Sequence, residues 1–125
     1  MILEKLETFF QDKMKIVQVN ENKFAILFPM FKIEGGRFEI FLIKENDEYY
    51  LSDEGSTYKE LDEIFKLDEP DVIKNLKAIS EIFGCRKRKF SNAFTIECTI
   101  ENMHIKLSYL IQALSFMLNM KIFYM

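Results

Sequence analysis

An acidic pair, Asp53-Glu54, lies between an apolar segment and a glycine in the stretch YYLSDEGSTYKEL. Adjacent carboxylates can bind a divalent metal ion, as in nucleases, when further carboxylates or a lysine converge on them. The pair also suits the corner between a strand and a helix, because Asp bonds backbone groups in turns and Gly55 tolerates a left-handed backbone. The rest of the stretch favours the structural corner.

Thr57 and Glu60 follow the pair at the spacing of a capping box, Thr-x-x-Glu, which predicts that a helix begins directly after the corner. Each residue of the stretch then has a structural role, and we predict neither a catalytic residue nor a metal site. A metal-dependent, nuclease-like enzyme using Asp53 is the third alternative, with Glu39 or Lys44 as its neighbours in the fold.

Other catalytic chemistries find little support in the sequence. His104 is the only histidine, and it lies among apolar residues with no identifiable group to orient it. Cys85 and Cys98 form no CxxC pair and cannot complete a zinc site with one histidine. Gly35-Gly36 lacks the lysine of a phosphate-binding loop. We therefore predict a non-enzymatic protein without a cofactor.

The length predicts a single domain over residues 1–125, and the composition predicts that this domain has a buried core. The chain is 49% apolar and 30% charged, and its net charge of −3 lacks the overall basic character of a nucleic-acid-binding protein. Thirteen Phe and seven Met indicate either a rich core or an apolar protein-binding face.

The start does not read as a signal peptide, and the uncharged stretch 107–120 is shorter than a membrane span. We predict a cytoplasmic protein with reduced thiols and no membrane contact. A Cys85–Cys98 disulfide is the alternative if their strands pair.

Alternating and helical patterns divide the chain into strands and helices. They predict an α+β fold with an antiparallel or mixed sheet of about five to seven strands packed with helices, including a long apolar C-terminal helix. The predicted strands are KIVQV, KFAILF, RFEIFLIK, YYLSD, CRKRKF and AFTIECTI, and the predicted helices cover Ile2–Phe10, the segment after Thr57, LDEPDVIKNLKAISEIFG and TIENMHIKLSYLIQALSFMLNM.

Turn and cap residues mark the boundaries of several of these elements. Gly35-Gly36 and Ser91-Asn92 are typical of turns between strands. In the third helix, Pro70 suits the first turn, Asp68 the N-cap and Gly84 the C-cap.

The last helix is apolar on two faces. One stripe has the 3.6-residue period and comprises Met103, Leu107, Leu110, Ile111, Leu114, Met117 and Leu118. A second stripe lies nearly opposite and comprises Ile105, Tyr109, Ala113 and Phe116. Such a helix is either enclosed in the core or shared with a partner, which can be a second copy of the chain.

The charged residues are unevenly distributed. The run Arg86, Lys87, Arg88 and Lys89 either contacts nucleic-acid phosphates or protects an edge strand from aggregation, and strand alternation would place its arginines and lysines on opposite faces. Acidic residues are spread over 45–69. They either form a solvated surface or mimic phosphates in the basic groove of another protein.

The stretch YYLSDEGSTYKEL is similar to the Leu-Thr-Asp-Asp-Gly signature of the phage- and prophage-associated family called domain of unknown function 1828. The closing stretch LIQALSFMLNMKIFYM resembles the last helix and Phe-Tyr tail of that family, and the resemblance extends from about Lys23 to Met125. An Asp-Arg pair that follows the aromatic-proline strand in the family is absent from FPMFKIEGGRFEIF. The resemblance implies no activity, but it implies a small intracellular protein of a mobile element with an accessory or host-interference role.

These observations favour a binding protein that contacts a host protein. Its candidate surfaces are the acidic corner, with Asp53, Glu54, Glu60 and Glu63, and the second face of the last helix, with Ile105, Tyr109 and Phe116. A homodimer through that helix is also open. The alternative function is nucleic-acid binding through Arg86, Lys87, Arg88 and Lys89.

Overall fold

The computed structural model describes residues 15–27 and 38–120. The predicted helix Ile2–Phe10, the Gly35-Gly36 turn and the chain beyond Met120 lie outside the described residues.

The described residues form an α+β fold, in which one antiparallel sheet of six strands packs with three helices. This confirms the predicted fold class. The strand order is β1-β2-β3-β4-β6-β5, so the chain leaves the sheet after β4 for two helices and returns to pair β6 with β4. The strands are β1 (Lys15–Asn20), β2 (Lys23–Leu27), β3 (Ile40–Glu45), β4 (Glu48–Ser52), β5 (Arg86–Lys87) and β6 (Phe94–Cys98).

One face of the sheet forms the floor of the core. A row of paired residues crosses four strands, and each of its side chains is buried, as the alternation of apolar residues requires. The members of this row are Phe24, Leu42, Leu51 and Ile96. The helices pack on this face, with α3 against β4 and β6.

The helices are α1 (Ser56–Asp62), α2 (Pro70–Phe83) and α3 (Met103–Leu118). The predicted ends of α2 are confirmed at Pro70, its first residue, and at Gly84, the left-handed C-cap with φ 74°. The predicted N-cap, Asp68, is wrong. Pro70 is the first helical residue and keeps the preceding Glu69 extended, with ψ 133°, so Glu69 takes the N-cap position without a side-chain bond.

α3 begins one residue after Asn102. The Asn102 side chain accepts a hydrogen bond from the backbone N–H of Thr99 at 2.7 Å, and the Thr99 hydroxyl oxygen accepts one from the N–H of Asn102 at 3.1 Å. Ala113 is fully buried, although the sequence pattern places it on the second stripe. Because α3 also packs against α1 and α2, its buried surface is wider than one stripe. Among the helices of the described residues, none has the length and apolarity to cross a membrane.

Candidate functional site

Asp53 lies at the end of β4 and is 1% exposed. Its Oδ1 accepts hydrogen bonds from the backbone N–H of Phe94 at 2.8 Å and of Gly55 at 3.0 Å, and its Oδ2 accepts one from Thr57 N–H at 3.3 Å. A buried carboxylate is stable in such a place because charge-assisted hydrogen bonds replace water. Asp53 therefore joins β4, β6 and the start of α1.

The predicted capping box of Thr57 and Glu60 does not form. The N-cap of α1 is Gly55, which has φ 88° and no side chain to supply a cap. Asp53 instead provides the acceptor for the Thr57 N–H from two residues before the cap. In a capping box the Thr57 N–H would donate to the Glu60 side chain, and here the buried Asp53 carboxylate accepts this hydrogen bond instead.

The corner also requires an unusual backbone at Glu54 and Gly55. Both residues have positive φ, 54° and 88° respectively. The Ser52 hydroxyl oxygen accepts a hydrogen bond from Glu54 N–H at 3.0 Å, which holds the first of these residues. A Cβ atom on Gly55 would lie 2.8 Å from the backbone oxygen of Ser91, so the corner packs directly against the turn before β6.

The remaining acidic residues of the predicted corner surface differ in their surroundings. Glu54 forms a salt bridge with Lys23, whose Nζ lies 2.8 Å from Glu54 Oε1. The same Nζ lies 4.5 Å from the ring centre of Phe41. Glu60 is half-buried and Glu63 is exposed. A partner can reach Glu63, whereas Asp53 lies in the interior.

The geometry of Asp53 does not suit a nuclease-like centre. Its carboxylate oxygens are occupied by backbone N–H groups and are shielded from solvent. Lys44, one of its proposed neighbours, has its Nζ 3.9 Å from Asp47. Within residues 15–27 and 38–120, no three His, Cys, Asp or Glu side chains are grouped closely enough to hold a metal ion.

A cleft that the sequence did not reveal lies between α1, α2 and the strands of the β5–β6 hairpin. Its volume is about 600 Å³. Tyr58 of α1, Leu76 of α2 and Phe94 of β6 contribute to its lining. Two of these elements, α1 and β6, are the ones that Asp53 joins to β4. Helical periodicity marks Tyr58 and Leu76 as apolar positions, but only the strand order shows that they meet Phe94.

The basic run lies at one edge of the sheet. Strand β5 contains only Arg86 and Lys87, which pair with Thr95 and Phe94, so the predicted strand CRKRKF is shorter than expected. The turn back to β6 begins at once, with Arg88 N–H donating to the carbonyl of Ala93 at 2.7 Å. This hairpin confirms the predicted turn around Ser91-Asn92, where Asn92 has φ 57°.

Two cations of the basic run lie over aromatic rings. Lys87 Nζ is 5.1 Å from the ring centre of Tyr58 and bonds Asn92 Oδ1 at 3.2 Å. Arg88 lies 4.6 Å from the ring centre of Tyr50 on the other face of the sheet. Lys87 and Arg88 therefore point to opposite faces of the sheet, although Arg88 already belongs to the turn after β5.

A fifth cation joins the run in space. Lys106 of α3 lines a groove of about 450 Å³ together with Arg86, Lys87, Arg88 and Lys89, and Glu97 adds one carboxylate. Lys106 is far from the run in sequence, so the charge pattern alone could not place it there.

On the second face of α3, Ile105, Tyr109 and Phe116 are 45%, 41% and 57% exposed. Lys106 Nζ lies 5.8 Å from the ring centre of Tyr109. Phe116 stacks on Phe83 of α2 with 5.6 Å between ring centres, so this residue also contributes to helix packing.

The two cysteines are free thiols. Burial is the main cause that raises the pKa of Cys85 to about 11, and the negative charge of Asp53 adds to it. Burial likewise raises the pKa of Cys98 to about 11, against the lowering effect of Lys106. Both thiols are therefore protonated and weakly nucleophilic at neutral pH.

Comparison with known families finds one that matches most of this chain. The family model described as "Domain of unknown function DUF1828" matches residues 28–117. This is most of the chain, so the protein belongs to the DUF1828 family, as its resemblance indicated. No curated protein and no solved structure matches it.

Proposed function

We propose that this DUF1828 protein is a non-enzymatic binding module that contacts another protein through the exposed face of α3. The observation that carries the proposal is the exposure of Ile105, Tyr109 and Phe116 on a helix without a formal charge from Leu107 to Met120. Exposed apolar and aromatic residues grouped on one surface are typical of protein interfaces.

The surroundings of this face support a protein partner. Tyr109 and Phe116 are large and rather rigid, which is typical of residues that dominate binding energy. α1 packs against α3, and Glu63 at the end of α1 is exposed. An exposed carboxylate on a helix that packs against α3 favours a partner with a complementary basic group.

The partner that we propose is a protein of the host cell. The likeness of YYLSDEGSTYKEL to a phage- and prophage-associated signature suggests a mobile-element setting, in which interference with a host defence or nucleic-acid enzyme is a common role. Self-association through the same face is the competing outcome, because two copies of an apolar helix face can cover each other.

A pull-down from host lysate tests the proposal. The tagged protein is incubated with nuclease-treated lysate, and retained proteins are identified by mass spectrometry. We expect one stoichiometric host protein with the wild type, lost with Tyr109→Glu. Val19→Glu is the matched control, since Val19 is an exposed apolar residue on β1, away from α3.

Two results would contradict the proposal. One is a partner that is retained equally by Tyr109→Glu and by Ile105→Glu. The other is the lack of any partner together with a monomer mass in light scattering at high protein concentration. A dimer that Tyr109→Glu converts to a monomer would assign the face to self-association.

Nucleic-acid binding is the second candidate, and the groove formed by Lys106 and the basic run favours it. Five cations and one carboxylate line that groove. Neutralising phosphates releases counterions, so binding would weaken steeply with salt. Charge reversal at Arg86 and Lys89 should abolish such binding, whereas Lys74→Glu on the exposed side of α2 should not. Binding without salt dependence would exclude this candidate.

A further inference from the structure

The cleft between α1, α2 and the strands of the β5–β6 hairpin has the size and lining of a small-molecule site. Its volume of about 600 Å³ falls within the range of ligand pockets. Leu67, Leu76 and Phe94 line it and are each at least nine-tenths buried. Ser80 lies in the same wall, and its hydroxyl donates to the carbonyl of Leu76 at 2.9 Å. The inner wall is therefore apolar.

The charged residues of the cleft lie on its outer part. Lys77, Arg86 and Lys87 are exposed and line the cleft together with one exposed carboxylate, Glu81. Three cations and one anion leave an excess positive charge at the opening. Burial keeps the pKa of the Cys85 thiol at about 11, so this part of the wall is uncharged at neutral pH.

The Asp53 corner holds two walls of the cleft in place. Its carboxylate accepts hydrogen bonds from the backbone N–H of Phe94, a residue that lines the cleft, and of Thr57, which precedes Tyr58. The hairpin turn that packs against Gly55 also carries Asn92, which bonds Lys87. One carboxylate thus fixes residues from α1 and β6 in the same cleft.

We propose that this cleft binds an amphiphilic carboxylate, with the apolar body against Leu76 and Phe94 and the carboxylate at Lys77 and Lys87. An uncharged wall suits an apolar chain, and cations confined to the opening suit a single anionic head. This site goes beyond the proposed protein contact: its lining residues come from elements other than α3. Arg86 and Lys87 are shared with the basic groove, but Leu76 and Phe94 are not.

Isothermal titration with decanoate and decanol, both below their aggregation concentrations, tests the site. The two probes share a ten-carbon chain and differ in charge. We expect decanoate to bind one-to-one and more tightly than decanol. Lys77→Gln should weaken decanoate by about two- to five-fold, the effect of one partly exposed charge pair, and leave decanol unchanged. Lys74→Gln, on the same helix but outside the cleft, is the matched control.

A second pair of variants tests the apolar part. Ile73 lines the cleft and is 50% exposed, so Ile73→Trp should obstruct the opening and reduce the binding of both probes at least about tenfold. Ile82→Trp places the same side chain on α2 outside the cleft and should leave both affinities unchanged. Circular dichroism checks that each variant is folded.

The proposal is overturned if decanoate does not bind the wild type, or if Ile73→Trp and Ile82→Trp bind it equally. It is also overturned if Lys77→Gln leaves the ratio of decanoate to decanol affinity unchanged. The comparison with Lys77→Gln still tests the proposed site if Ile73→Trp does not fold. Because Tyr109→Glu should bind decanoate normally, failure of the protein-contact proposal is distinguishable from failure of this one.

Discussion

Asp53 and Phe94 are joined by two hydrogen bonds across the β4–β6 boundary. The N–H of Asp53 donates to the carbonyl of Phe94 at 3.3 Å, and the N–H of Phe94 donates to the carboxylate of Asp53 at 2.8 Å. The side chain thereby extends the antiparallel ladder by one further bond and turns the chain into α1. The Asp53 corner is thus the junction of three elements, β4, β6 and α1.

Replacing the Asp53 carboxylate should destabilise the whole fold. Asp53→Ala leaves buried backbone N–H groups of Phe94 and Thr57 without an acceptor, and we expect the free energy of unfolding to fall by about 3 kcal/mol. Asp53→Asn should have a smaller effect, because an amide oxygen still accepts at the Oδ1 position while the amide NH₂ faces the N–H of Thr57. Urea denaturation followed by circular dichroism measures both changes.

Asp68→Ala serves as the control for these variants, since Asp68 is an exposed carboxylate between α1 and α2. We expect its effect to stay within about 0.5 kcal/mol. If Asp53→Ala proved as stable as Asp68→Ala, Asp53 would not have the structural role that we assign to it.

Two glycines allow backbone strain to be separated from steric contact. Gly84 has φ 74° and an added Cβ would meet nothing within 4 Å, so Gly84→Ala should lower the free energy of unfolding by about 1 kcal/mol. Gly55 has φ 88°, and its added Cβ would lie 2.8 Å from Ser91 O. We expect Gly55→Ala to cost about 3 kcal/mol, because the β5–β6 turn must also shift. Equal effects in thermal or urea unfolding would show that the Ser91 contact is unimportant.

The sheet could be predicted because its strands have local patterns. Ile40 and Leu42 alternate with less buried residues in β3, and Phe24 and Ile26 do the same in β2. Burial of one face of the sheet dictates this alternation, so it is visible without knowledge of the neighbours. The ends of α2 were visible for a similar reason, since Pro70 and Gly84 act on their own backbone.

The contacts of the Asp53 corner and the cleft could not be predicted, because they depend on residues that are distant in the sequence. Thr57 and Glu60 have the spacing of a capping box, but the acceptor for Thr57 N–H is Asp53, whose position is fixed by Phe94 on a strand 41 residues later. The same strand order brings Phe94 to Tyr58 in the cleft. The pairing of β6 with β4 decides all of this, and the sequence predicted both strands but not their neighbours.

The raised pKa of both thiols predicts slow chemical modification, because the thiolate is the reactive form. At pH 8 a thiol with a pKa of about 11 contains roughly a hundredfold less thiolate than one at the ordinary value of 9.0. Cys85 and Cys98 should react with Ellman's reagent about a hundredfold more slowly in the native protein than in urea, and the rate should rise up to about pH 11. A rapid burst of one thiol in the native protein would contradict this expectation.

The same shifts predict a loss of stability at high pH. A raised pKa means that the folded state retains its thiol protons where the unfolded state has released them. Above pH 9 the unfolded state therefore binds fewer protons, and the free energy of unfolding falls between about pH 9 and 11. Because other groups titrate there, the measurement is the difference in urea stability between the wild type and Cys98→Ala across this range. A difference that is constant with pH would refute the contribution of Cys98.

Phe116 should combine a structural role with a binding role, whereas Tyr109 should have the binding role alone. Phe116 stacks on Phe83 with 5.6 Å between ring centres, and such pairs contribute about 0.5–1.5 kcal/mol. A double-mutant cycle with Phe83→Ala and Phe116→Ala should therefore give a coupling of this size in the free energy of unfolding. Tyr109→Ala should change stability by less than about 0.5 kcal/mol, because 41% of Tyr109 is exposed. Additive effects of the two phenylalanines would show that the stack contributes nothing, and both rings would then be free to contact a partner.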